Sequence, residues 1–432
     1  MIDYNGNSAR DTILGCVADD FTGASDMASF LAAGGMKTLL VSGIPNGEIP
    51  IDFQPQAIII ALKSRTSPTA QAVSETMAAF SWLVSYGATK LYFKYCSTFD
   101  STPRGNIGPV VDQVLESYDI PFTILCPALP VNGRTVKDGH LYVNGVPLHE
   151  SPMRNHPLTP MWDSDMCNLM EPQSKYPCFK LTDKELFLPD EEILRHIEKL
   201  KKKNRHFYLV PDYYTSEHAD RITALFRNLP FITGGSGIAE GLAKSFSQTK
   251  ASNTEKNTIE RDISSHSLIL AGSCSEMTLK QIDHFINTGG TALKIVPSKL
   301  LSGEQTKESL WDFIKRNSVS DVLIYSSDIA VRVAETQKMG KEHIAQLLEQ
   351  TTAYLASKAV KNGIVKIIVA GGETSGAVTQ ALDYQSFLIG ESVSPGVPVM
   401  IPTSDTRIRL VLKSGNFGQP DFFSKAIEIT RR

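Results

Sequence analysis

The chain has 432 residues, of which 42% are hydrophobic and 21% charged, and its formal net charge is −3 at pH 7. This length predicts two or three domains, and the composition is that of an ordinary globular protein. The near-neutral charge excludes a large positive field that would attract nucleic acid or an anionic membrane, so any anion has to be bound by a local site.

The chain shows no targeting or membrane signal. Its start, MIDYNGNSARDT, lacks the apolar core of a signal peptide, and no apolar run approaches the roughly 18 residues of a membrane span. The six cysteines form no C-x-x-C pair. We therefore expect a cytoplasmic protein with reduced cysteines that serve in packing.

Short apolar runs alternate with helical patterns through the first half of the chain. The strand-like runs are ILGCVA (13–18), KTLLVS (37–42), AIIIAL (57–62), KLYFKY (90–95), FTILCP (122–127) and HFYLVP (206–211). Helical patterns such as 25–33 and 69–85 lie between them. This alternation predicts a mostly parallel sheet flanked by helices.

A polar stretch at 247–266 interrupts the alternation and is typical of a linker. Strand-like runs then resume at SLILAGS (267–273), TALKIV (291–296), DVLIYSS (321–327), KIIVAGG (366–372) and RIRLVLKSG (407–415). We predict two α/β domains, 1–246 and 267–432, each with a mostly parallel sheet. Residues 128–165, rich in Gly, Pro, Asn and His, predict a hairpin and loops inserted in the first domain.

Adjacent carboxylates follow the first strand, in VADDFTGASD (17–26). Asp19 and Asp20 are costly unless they are used or paired, and consecutive strand residues point to opposite faces. We therefore expect one of them to face the cleft and the other to cap or orient. Asp26 is predicted to lie on the helix surface, where it would compensate the helix dipole.

Hydroxyls, cations and carboxylates follow the next strands as well. They occur in LKSRT (62–66), in FKYCSTFDSTPRGNIG (93–108) and in NGRTVKDGH (132–140). The candidates are Lys63, Arg65, Lys94, Ser97, Thr98, Asp100, Ser101, Thr102, Arg104, Asn106, Arg134 and His140. Each alone could be a solvated loop residue, but their recurrence at one sheet edge predicts a site for a small, polyhydroxylated anion.

Three histidines, His140, His149 and His156, lie in the predicted insertion. Their spacing fits no helical pair and no common zinc pattern, so we expect loop hydrogen bonds, with metal ligation as the alternative.

Glycine-rich turns follow three strands of the second domain. They are LAGSCSEMT (270–278), IIVAGGETSGAV (367–378) and LKSGNFG (412–418), and FITGGSGIAEG (231–241) is similar in the first domain. None is a Walker A loop or a complete G-x-G-x-x-G fingerprint. A tight turn alone would explain any one of them, but free N–H groups at strand-to-helix turns on one sheet edge favour a clamp for nucleotide phosphates.

These stretches together resemble the four-carbon acid sugar kinase family. The similar segments are ADDFTGASD, FKYCSTFDSTPRGNIGPV, CPALPVNGRTVKDGHLYVNGVPL, MRNHPLTPM, GSCSEMT, AGGETSGAV, IGESVSPGVP and LKSGNFGQPDFF, in the expected order over nearly the whole chain. Two segments, CSTFDSTP and MRNHPLTPM, look most like the 3-oxo-tetronate kinase branch. Ser25 stands where the family more often has Thr. Arg104 stands where this branch has Glu and the other branches have Arg.

The resemblance implies an amino-terminal domain for the acid sugar and a carboxy-terminal domain for ATP. The implied reaction transfers phosphate from ATP, with Mg²⁺, to the C4 hydroxyl of 3-oxo-tetronate. The implied nucleotide contacts are Ser273, Ser275, Gly372, Glu373, Thr374, Ser375 and Gly415. Glu373 would bind Mg²⁺ or the ribose, and a homodimer is the assembly that we allow for.

In this reaction we assign Asp20 as the general base, with Asp19 as the alternative. Arg65, Lys94 and Arg134 are candidates to hold the substrate carboxylate or the phosphoryl group. Three other functions stay open: a D-threonate or D-erythronate kinase, a nicotinamide-dependent oxidoreductase without the usual fingerprint, and a non-catalytic two-lobed sensor of sugar acids.

Overall fold

The computed structural model describes residues 13–47, 49, 51, 53–156, 158–247, 266–329 and 340–431. The chain divides into two compact units, Met1–Thr254 and Glu255–Arg432. The predicted linker at 247–266 falls almost wholly outside the described residues, and the domain boundaries at its two ends remain predictions. None of the helices within the described ranges is both long enough and apolar enough to cross a membrane.

The strands of the first unit are short, as buried parallel strands usually are. They are β1 (Leu14–Ala18), β2 (Thr38–Ser42), β3 (Ala57–Ala61), β4 (Lys90–Lys94), β5 (Phe122–Cys126), β6 (Arg134–Lys137), β7 (His140–Val143), β8 (Val146–Pro147), β9 (Cys178–Leu181), β10 (Phe207–Pro211) and β11 (Phe231–Gly234).

Eight of these strands, within the described part of the unit, form a parallel sheet in the order β2-β3-β1-β4-β11-β5-β10-β9. Strands β6, β7 and β8 form a separate antiparallel sheet, which is the predicted insertion. The helices are α1 (Phe21–Ala33), α2 (Thr69–Tyr86), α3 (Ile107–Ser117), α4 (Met166–Met170), α5 (Asp183–Leu186), α6 (Asp190–Lys203), α7 (Ser216–Phe226) and α8 (Ala239–Ser247).

The second unit repeats this architecture with a smaller sheet. Its strands are β12 (Ser267–Ala271), β13 (Thr291–Lys294), β14 (Val322–Tyr325), β15 (Lys366–Ala370), β16 (Ser386–Ser394), β17 (Val397–Pro402) and β18 (Arg409–Lys413). Its helices are α9 (Glu276–Asn287), α10 (Pro297–Ser302), α11 (Lys307–Arg316), α12 (Lys341–Lys361), α13 (Gly372–Leu382) and α14 (Phe422–Ile429). The strand order is β13-β14-β12-β15-β18-β17-β16.

Five of those seven described strands are parallel, and β16 and β17 join the sheet as an antiparallel hairpin. The central strands β1, β3, β12 and β15 are buried along their whole length, as expected for a parallel sheet covered by helices on both faces. The predicted class, two α/β units each with a mostly parallel sheet, is confirmed. The β16–β17 hairpin was not predicted.

Candidate functional site

The carboxyl ends of β1 and β4 lie side by side in the first unit. Ala18, the last residue of β1, pairs with Lys94, the last residue of β4, and the backbone N–H of Asp19 donates to the carbonyl of Lys94 at 3.0 Å. Strand β3 ends on the other side of β1, where Ala18 pairs with Ala61. Because the strands are parallel and in register, the polar segments that follow them meet at one edge of the sheet.

Arg65 is the centre of a cluster of carboxylates at this edge. Its Nε and Nη2 donate to the two carboxylate oxygens of Asp19, each at 2.8 Å. Nη2 also lies 2.9 Å from Oδ1 of Asp20, and Nη1 lies 3.8 Å from Oδ2 of Asp100. One of the two bidentate edges of the guanidinium, formed by Nε and Nη2, is therefore occupied by Asp19. The geometry makes Arg65 an organiser of three protein carboxylates.

Asp19 and Asp20 differ in exposure although they are neighbours. The side chain of Asp19 is 5% exposed, and its burial raises its pKa, against the opposing effect of Arg65. The side chain of Asp20 is 33% exposed. Asp20 also caps α1, since its Oδ1 accepts a 2.8 Å hydrogen bond from the N–H of Gly23. Of the two carboxylates, Asp20 is the one that an external molecule can reach.

Asp26 corrects the prediction that placed it on the helix surface. It is 6% exposed, and its Oδ2 accepts a 2.5 Å hydrogen bond from the hydroxyl of Ser236 and lies 3.6 Å from Nζ of Lys94. Its Oδ1 is buried without a hydrogen-bond partner in the part of the chain that the structure describes. Burial raises the pKa of Asp26, while Lys94 and Ser236 lower it. The sequence did not indicate that Asp26 and Ser236 lie together at this edge.

The loop after β4 contains a strained backbone. Phe99 and Asp100 have φ angles of 66° and 46°, which are unusual for residues other than glycine. The N–H of Asp100 donates to the carbonyl of Thr98 at 2.8 Å, and the hydroxyl of Thr98 donates to the carboxylate of Asp100 at 2.7 Å. The ring of Phe99 is buried against Tyr95, which holds the turn in place. Such strain is typical of functional loops, where it fixes a side chain in a required position.

Other predicted residues of this loop are placed differently. Ser97 is half-buried and Arg104 is exposed. The amide of Asn106 donates to the carbonyls of Ser64 and Ser67, each at 2.8 Å, and accepts from the hydroxyl of Thr69 at 2.9 Å. These bonds fix the segment that carries Arg65, so the geometry gives Asn106 a positioning role.

Arg134 and His140 belong to the separate β6–β8 sheet. Arg134 donates through Nη1 to the carbonyl of Asn132, and its Nε is buried without a hydrogen-bond partner among the described residues. His140 contacts the carbonyl of Asp138 at 2.9 Å, and its Nε2 lies 3.7 Å from Oδ2 of Asp165. None of these contacts involves the Arg65 cluster.

The other two histidines of the insertion make loop hydrogen bonds. His149 bonds the hydroxyl of Ser164 at 2.7 Å, and His156 bonds the hydroxyl of Thr159 at 2.8 Å. Across the described ranges, no group of three or more His, Cys, Asp or Glu side chains is arranged to hold a metal ion.

The three glycine turns of the second unit come together at the carboxyl edge of its sheet. The last residues of β12, β15 and β18 pair in register, Ala271 with Ala370 and Ala370 with Lys413. A methyl group on Gly272 would lie 2.2 Å from Oγ1 of Thr374, and one on Gly415 would lie 2.4 Å from Oγ of Ser273. A larger residue at either position would therefore displace these hydroxyls, which shows how closely the three turns approach one another.

Two helices begin at this meeting point. Ser275 caps α9, and α13 begins at Gly372 directly after Gly371, whose φ is 130°. Thr374 and Ser375 are buried, and the hydroxyl of Ser375 has no hydrogen-bond partner among the described residues, while Glu373 is exposed. The unpaired N–H groups and dipoles of two helix starts, together with these hydroxyls, favour an anion such as phosphate.

The similar turn of the first unit, FITGGSGIAEG, is shaped by close packing of its backbone. It follows β11 in the first unit, and methyl groups on Gly234, Gly235 and Gly237 would meet the backbone carbonyls of residues 126–128 at 2.2–2.5 Å. These glycines allow close packing of two backbone segments. The side chain of Ser236 in this turn donates its hydrogen bond to Asp26.

Sequence analysis also missed Lys413, the last residue of β18. It is 1% exposed and lies directly at the Gly415 turn. The sequence feature that could have indicated it is a lysine inside the apolar run RIRLVLKSG, because lysine is rarely buried without a partner.

Comparison with known proteins covers nearly the whole chain. Residues 14–242 match the model of a sugar-binding N-terminal domain, and residues 268–423 match that of a nucleotide-binding C-terminal domain. The chain is 40% identical to the 3-oxo-tetronate kinase of Pseudomonas savastanoi pv. phaseolicola over 98% of both chains. It is 38% identical to that of Brucella melitensis, covering 98% of this chain and 97% of the relative.

A similar solved structure is that of a Salmonella typhimurium LT2 protein with a provisional tRNA synthase name. It has a TM-score of 0.86 and 37% identity, over 96% of this chain and 98% of that one.

Proposed function

We propose a substrate and a reaction for this chain, which belongs to the four-carbon acid sugar kinase family. The reaction is transfer of the γ-phosphoryl group of ATP to the C4 hydroxyl of 3-oxo-tetronate, giving ADP and 3-oxo-tetronate 4-phosphate. The observation that carries this proposal is the 40% identity to a 3-oxo-tetronate kinase over 98% of both chains.

The geometry of each unit supports one half of this reaction. The first unit gathers carboxylates and cations at one sheet edge, which suits a small molecule with several hydroxyls. The second unit gathers glycine turns, hydroxyls and two helix starts, which suits the phosphates of a nucleotide. Phosphoryl transfer needs mainly positioning of the reactants and neutralisation of charge, and the groups at both sheet edges are of the kind that could supply them.

Asp20 is the general base in our proposal. Its side chain is 33% exposed, whereas both oxygens of Asp19 are bonded to Arg65 in a buried site. Asp20 would orient the C4 hydroxyl and accept its proton as the phosphoryl group arrives. Arg65 would fix Asp20 through its 2.9 Å contact. Asp19, the alternative base, would act through Arg65 in this arrangement.

Arg65 stays a candidate for the substrate carboxylate, but Asp19 occupies the Nε–Nη2 edge of its guanidinium, so a second cation would strengthen binding. Lys94, Arg104 and Arg134 are the candidates, and the guanidinium of Arg104 has no ion-pair partner among the described residues. Ser97, Asp100 and His140 would bind substrate hydroxyl or keto groups. Asn106 would act indirectly, by holding the segment of Arg65.

The nucleotide contacts that we propose are Ser273, Ser275, Gly372, Glu373, Thr374, Ser375 and Gly415. The backbone and hydroxyl groups of the three turns would bind phosphate oxygens. The unpartnered hydroxyl of Ser375 supports this assignment, because a buried polar group without a partner is costly unless a ligand satisfies it.

Magnesium fits this donor set as an ion bound mainly through the nucleotide. Mg²⁺ usually keeps several waters and takes one or two protein carboxylates together with substrate phosphates. Glu373, exposed in the first turn of α13, would supply such a carboxylate, and a ribose hydroxyl is the other partner that it could take. When bound, the ion supplies neutralisation of phosphate charge.

The experiment is a measurement of ADP release from ATP and Mg²⁺ with 3-oxo-tetronate and the D and L forms of threonate and erythronate. Turnover on 3-oxo-tetronate alone supports the proposed reaction. Turnover on a threonate or erythronate keeps the kinase class and overturns the substrate, with Arg104→Glu as the next variant to test. Nucleotide binding without any turnover on the panel overturns the proposed reaction and supports a sensor.

The oligomeric state is a separate proposal. We propose a homodimer, and static light scattering at micromolar concentration distinguishes it from a monomer.

A further inference from the structure

We propose that Lys413 is a positioning residue that shapes the turn at 414–416 into a binding site for the nucleotide phosphates. The inference rests on the proposed function only in taking a nucleotide as the ligand of this edge. It does not depend on which sugar acid is phosphorylated.

Lys413 is buried and fully hydrogen-bonded. Its Nζ donates to the carbonyl of Gly415 at 2.7 Å, to Oγ1 of Thr278 at 3.0 Å and to the carbonyl of Ser414 at 3.1 Å. These contacts use all three protons of the ammonium group. With 1% of its surface exposed, Lys413 is placed to act through the turn.

The orientation of two peptide groups follows from these bonds. In a planar trans peptide, the N–H points opposite to the C=O of the same peptide group. Lys413 attracts the carbonyls of Ser414 and Gly415 to one side, so the N–H groups of Gly415 and Asn416 point to the other side. Neither N–H donates to another residue in the described ranges. Two successive free N–H groups form the kind of concavity that binds anions.

Thr278 connects this turn to the start of α9. Its hydroxyl donates to the carbonyl of Gly415 at 2.8 Å and accepts from the hydroxyl of Ser275 at 3.1 Å. Ser275 is the cap of α9 and one of the proposed phosphate contacts. Lys413 and Thr278 therefore fix the Gly415 turn relative to the start of α9, so that the N–H groups of the turn and of the helix start would bind one anion.

Lys413 has no counter-ion among the described residues, since none of their carboxylates is within ion-pair distance of Nζ. The ring of Phe422 also lies near Nζ, with its centroid 5.7 Å away. Burial lowers the pKa of Lys413 to about 7. A buried cation without a carboxylate is costly, and phosphate bound at the turn would supply the missing negative charge.

The test compares Lys413→Met with Lys366→Met in the full-length protein. Lys366 is an equally buried lysine, 1% exposed, at the opposite end of the neighbouring strand β15. Thr278→Val is the second variant, which keeps the size of the side chain and removes the hydroxyl. ADP affinity is measured by titration calorimetry, folding by thermal melting, and the KM for ATP together with kcat by ADP release.

Lys413→Met should weaken ADP binding about 10- to 100-fold and raise the KM for ATP similarly, as loss of bonds to a charged group does. We expect kcat at saturating ATP and the KM for the sugar acid to stay close to the wild-type values, because the variant loses nucleotide binding that is equal in the ground state and the transition state. Lys366→Met should leave ADP affinity unchanged. Thr278→Val should also lower ADP affinity. This variant tests the inference if Lys413→Met does not fold.

A folded Lys413→Met that binds ADP like the wild type overturns the inference, as does an equal loss of affinity in Lys366→Met. An unfolded Lys413→Met combined with unchanged ADP affinity in Thr278→Val overturns it as well. A wild-type protein that binds no ADP overturns the proposed function itself. If the wild type binds ADP but phosphorylates no sugar acid of the panel, the ADP affinities of the variants still decide whether the inference holds.

Discussion

The guanidinium of Arg65 donates two parallel hydrogen bonds of 2.8 Å to the carboxylate of Asp19. This pair joins residues 46 positions apart, at the ends of β3 and β1. Arginine recognises carboxylates through a pair of parallel N–H groups, and here the protein itself occupies the pair formed by Nε and Nη2. Arg65 therefore fixes protein carboxylates at the carboxyl edge of the first sheet, which leaves only its Nη1 side for a sugar carboxylate.

The first prediction concerns the base. Asp20→Asn should lower kcat by about 10²–10⁴-fold, the usual cost of losing a general base, because the amide cannot accept the C4 proton. Its side chain can still cap α1 through the N–H of Gly23. ADP affinity should stay at the wild-type value, since the change lies in the first unit. The measurements are ADP release and calorimetry.

The control for this prediction is Asp190→Asn. Asp190 is an exposed carboxylate that pairs with Arg221 at 2.6 Å, outside the proposed site. It tests the loss of an Asp–Arg contact without loss of the base. Near-normal turnover of Asp20→Asn would show that Asp20 is not the base and return the role to Asp19.

The second prediction concerns Asp26. Burial raises its pKa, so over the range between the unfolded and folded pKa values the folded state binds a proton that the unfolded chain has lost. The wild type should therefore lose stability from this group as the pH rises above about 4, the ordinary pKa of aspartate. The Asp26→Asn variant has no carboxyl proton at this position and does not lose stability in this way, and its amide oxygen can still accept the hydrogen bond from Ser236. The melting temperature of the variant minus that of the wild type should therefore increase from pH 4 to pH 8.

The same substitution should lower activity. Oδ2 of Asp26 lies 3.6 Å from Nζ of Lys94, a candidate for the substrate carboxylate, and Oδ1 has no hydrogen-bond partner among the described residues. We expect at least a tenfold fall in kcat/KM for the sugar acid, since a hydrogen bond to a charged group is worth about 1.5–3 kcal/mol. The control is Asp112→Asn, because Asp112 is also buried but bonds Ser174 and the backbone of Lys175. A fully active Asp26→Asn would assign this carboxylate to structure alone.

The third prediction is a pH dependence of nucleotide binding. Burial lowers the pKa of Lys413 to about 7, and its neighbours are neutral: the hydroxyl of Thr278, two backbone carbonyls and the ring of Phe422. Bound phosphate favours the ammonium form and raises this pKa. ADP affinity should therefore fall as the pH rises from 7 to 9, by up to about tenfold per pH unit, with proton uptake on binding.

Calorimetry in two buffers of different ionisation enthalpy measures that proton uptake. Without ADP, the pKa of Lys413 is lower in the folded protein than in the unfolded chain, so the unfolded chain binds the ammonium proton more tightly. The free energy of unfolding should therefore increase as the pH rises above about 7. Lys413→Met should show neither effect. An ADP affinity that is equal at pH 7 and pH 9 in the wild type would contradict the prediction.

The sequence predicts the architecture and the location of both edges, because both follow from local pattern. Apolar runs such as AIIIAL and KIIVAGG end where polar or glycine residues begin, and the structure ends β3 and β15 there. The rule that parallel strands share a carboxyl edge then brings Asp19, Arg65 and Lys94 together. Pairing across the edge is not local, so the capture of Arg65 by Asp19 could not be predicted.

Errors in the start or type of an element explain the remaining misses. We predicted a helix from residue 25, which would put Asp26 in its exposed first turn. The helix begins at Phe21 instead, so Asp26 lies beyond its first turn and on its buried face. Glycine and proline in the segment of β16 and β17 break the alternation that would have indicated a hairpin. Lys413 was assigned to a strand end, and its burial depends on Thr278 and Phe422, which are distant in the sequence.

The last prediction compares two glycines of the second unit. Gly415→Ala should weaken ADP binding about 10- to 100-fold. The new methyl group would lie 2.4 Å from Oγ of Ser273 and 2.9 Å from Oγ of Ser275, so these two proposed phosphate contacts would have to move, and a lost hydrogen bond to a charged group costs about 1.5–3 kcal/mol. Gly376→Ala is the control. Gly376 lies inside α13 with nothing within 4 Å of an added methyl group. That variant should keep its ADP affinity and gain about 0.5–1 kcal/mol of stability, as Ala does over Gly in a helix. Calorimetry and thermal melting measure both effects. Equal ADP affinity in the two variants would mean that the contact of Gly415 with Ser273 does not shape the nucleotide site.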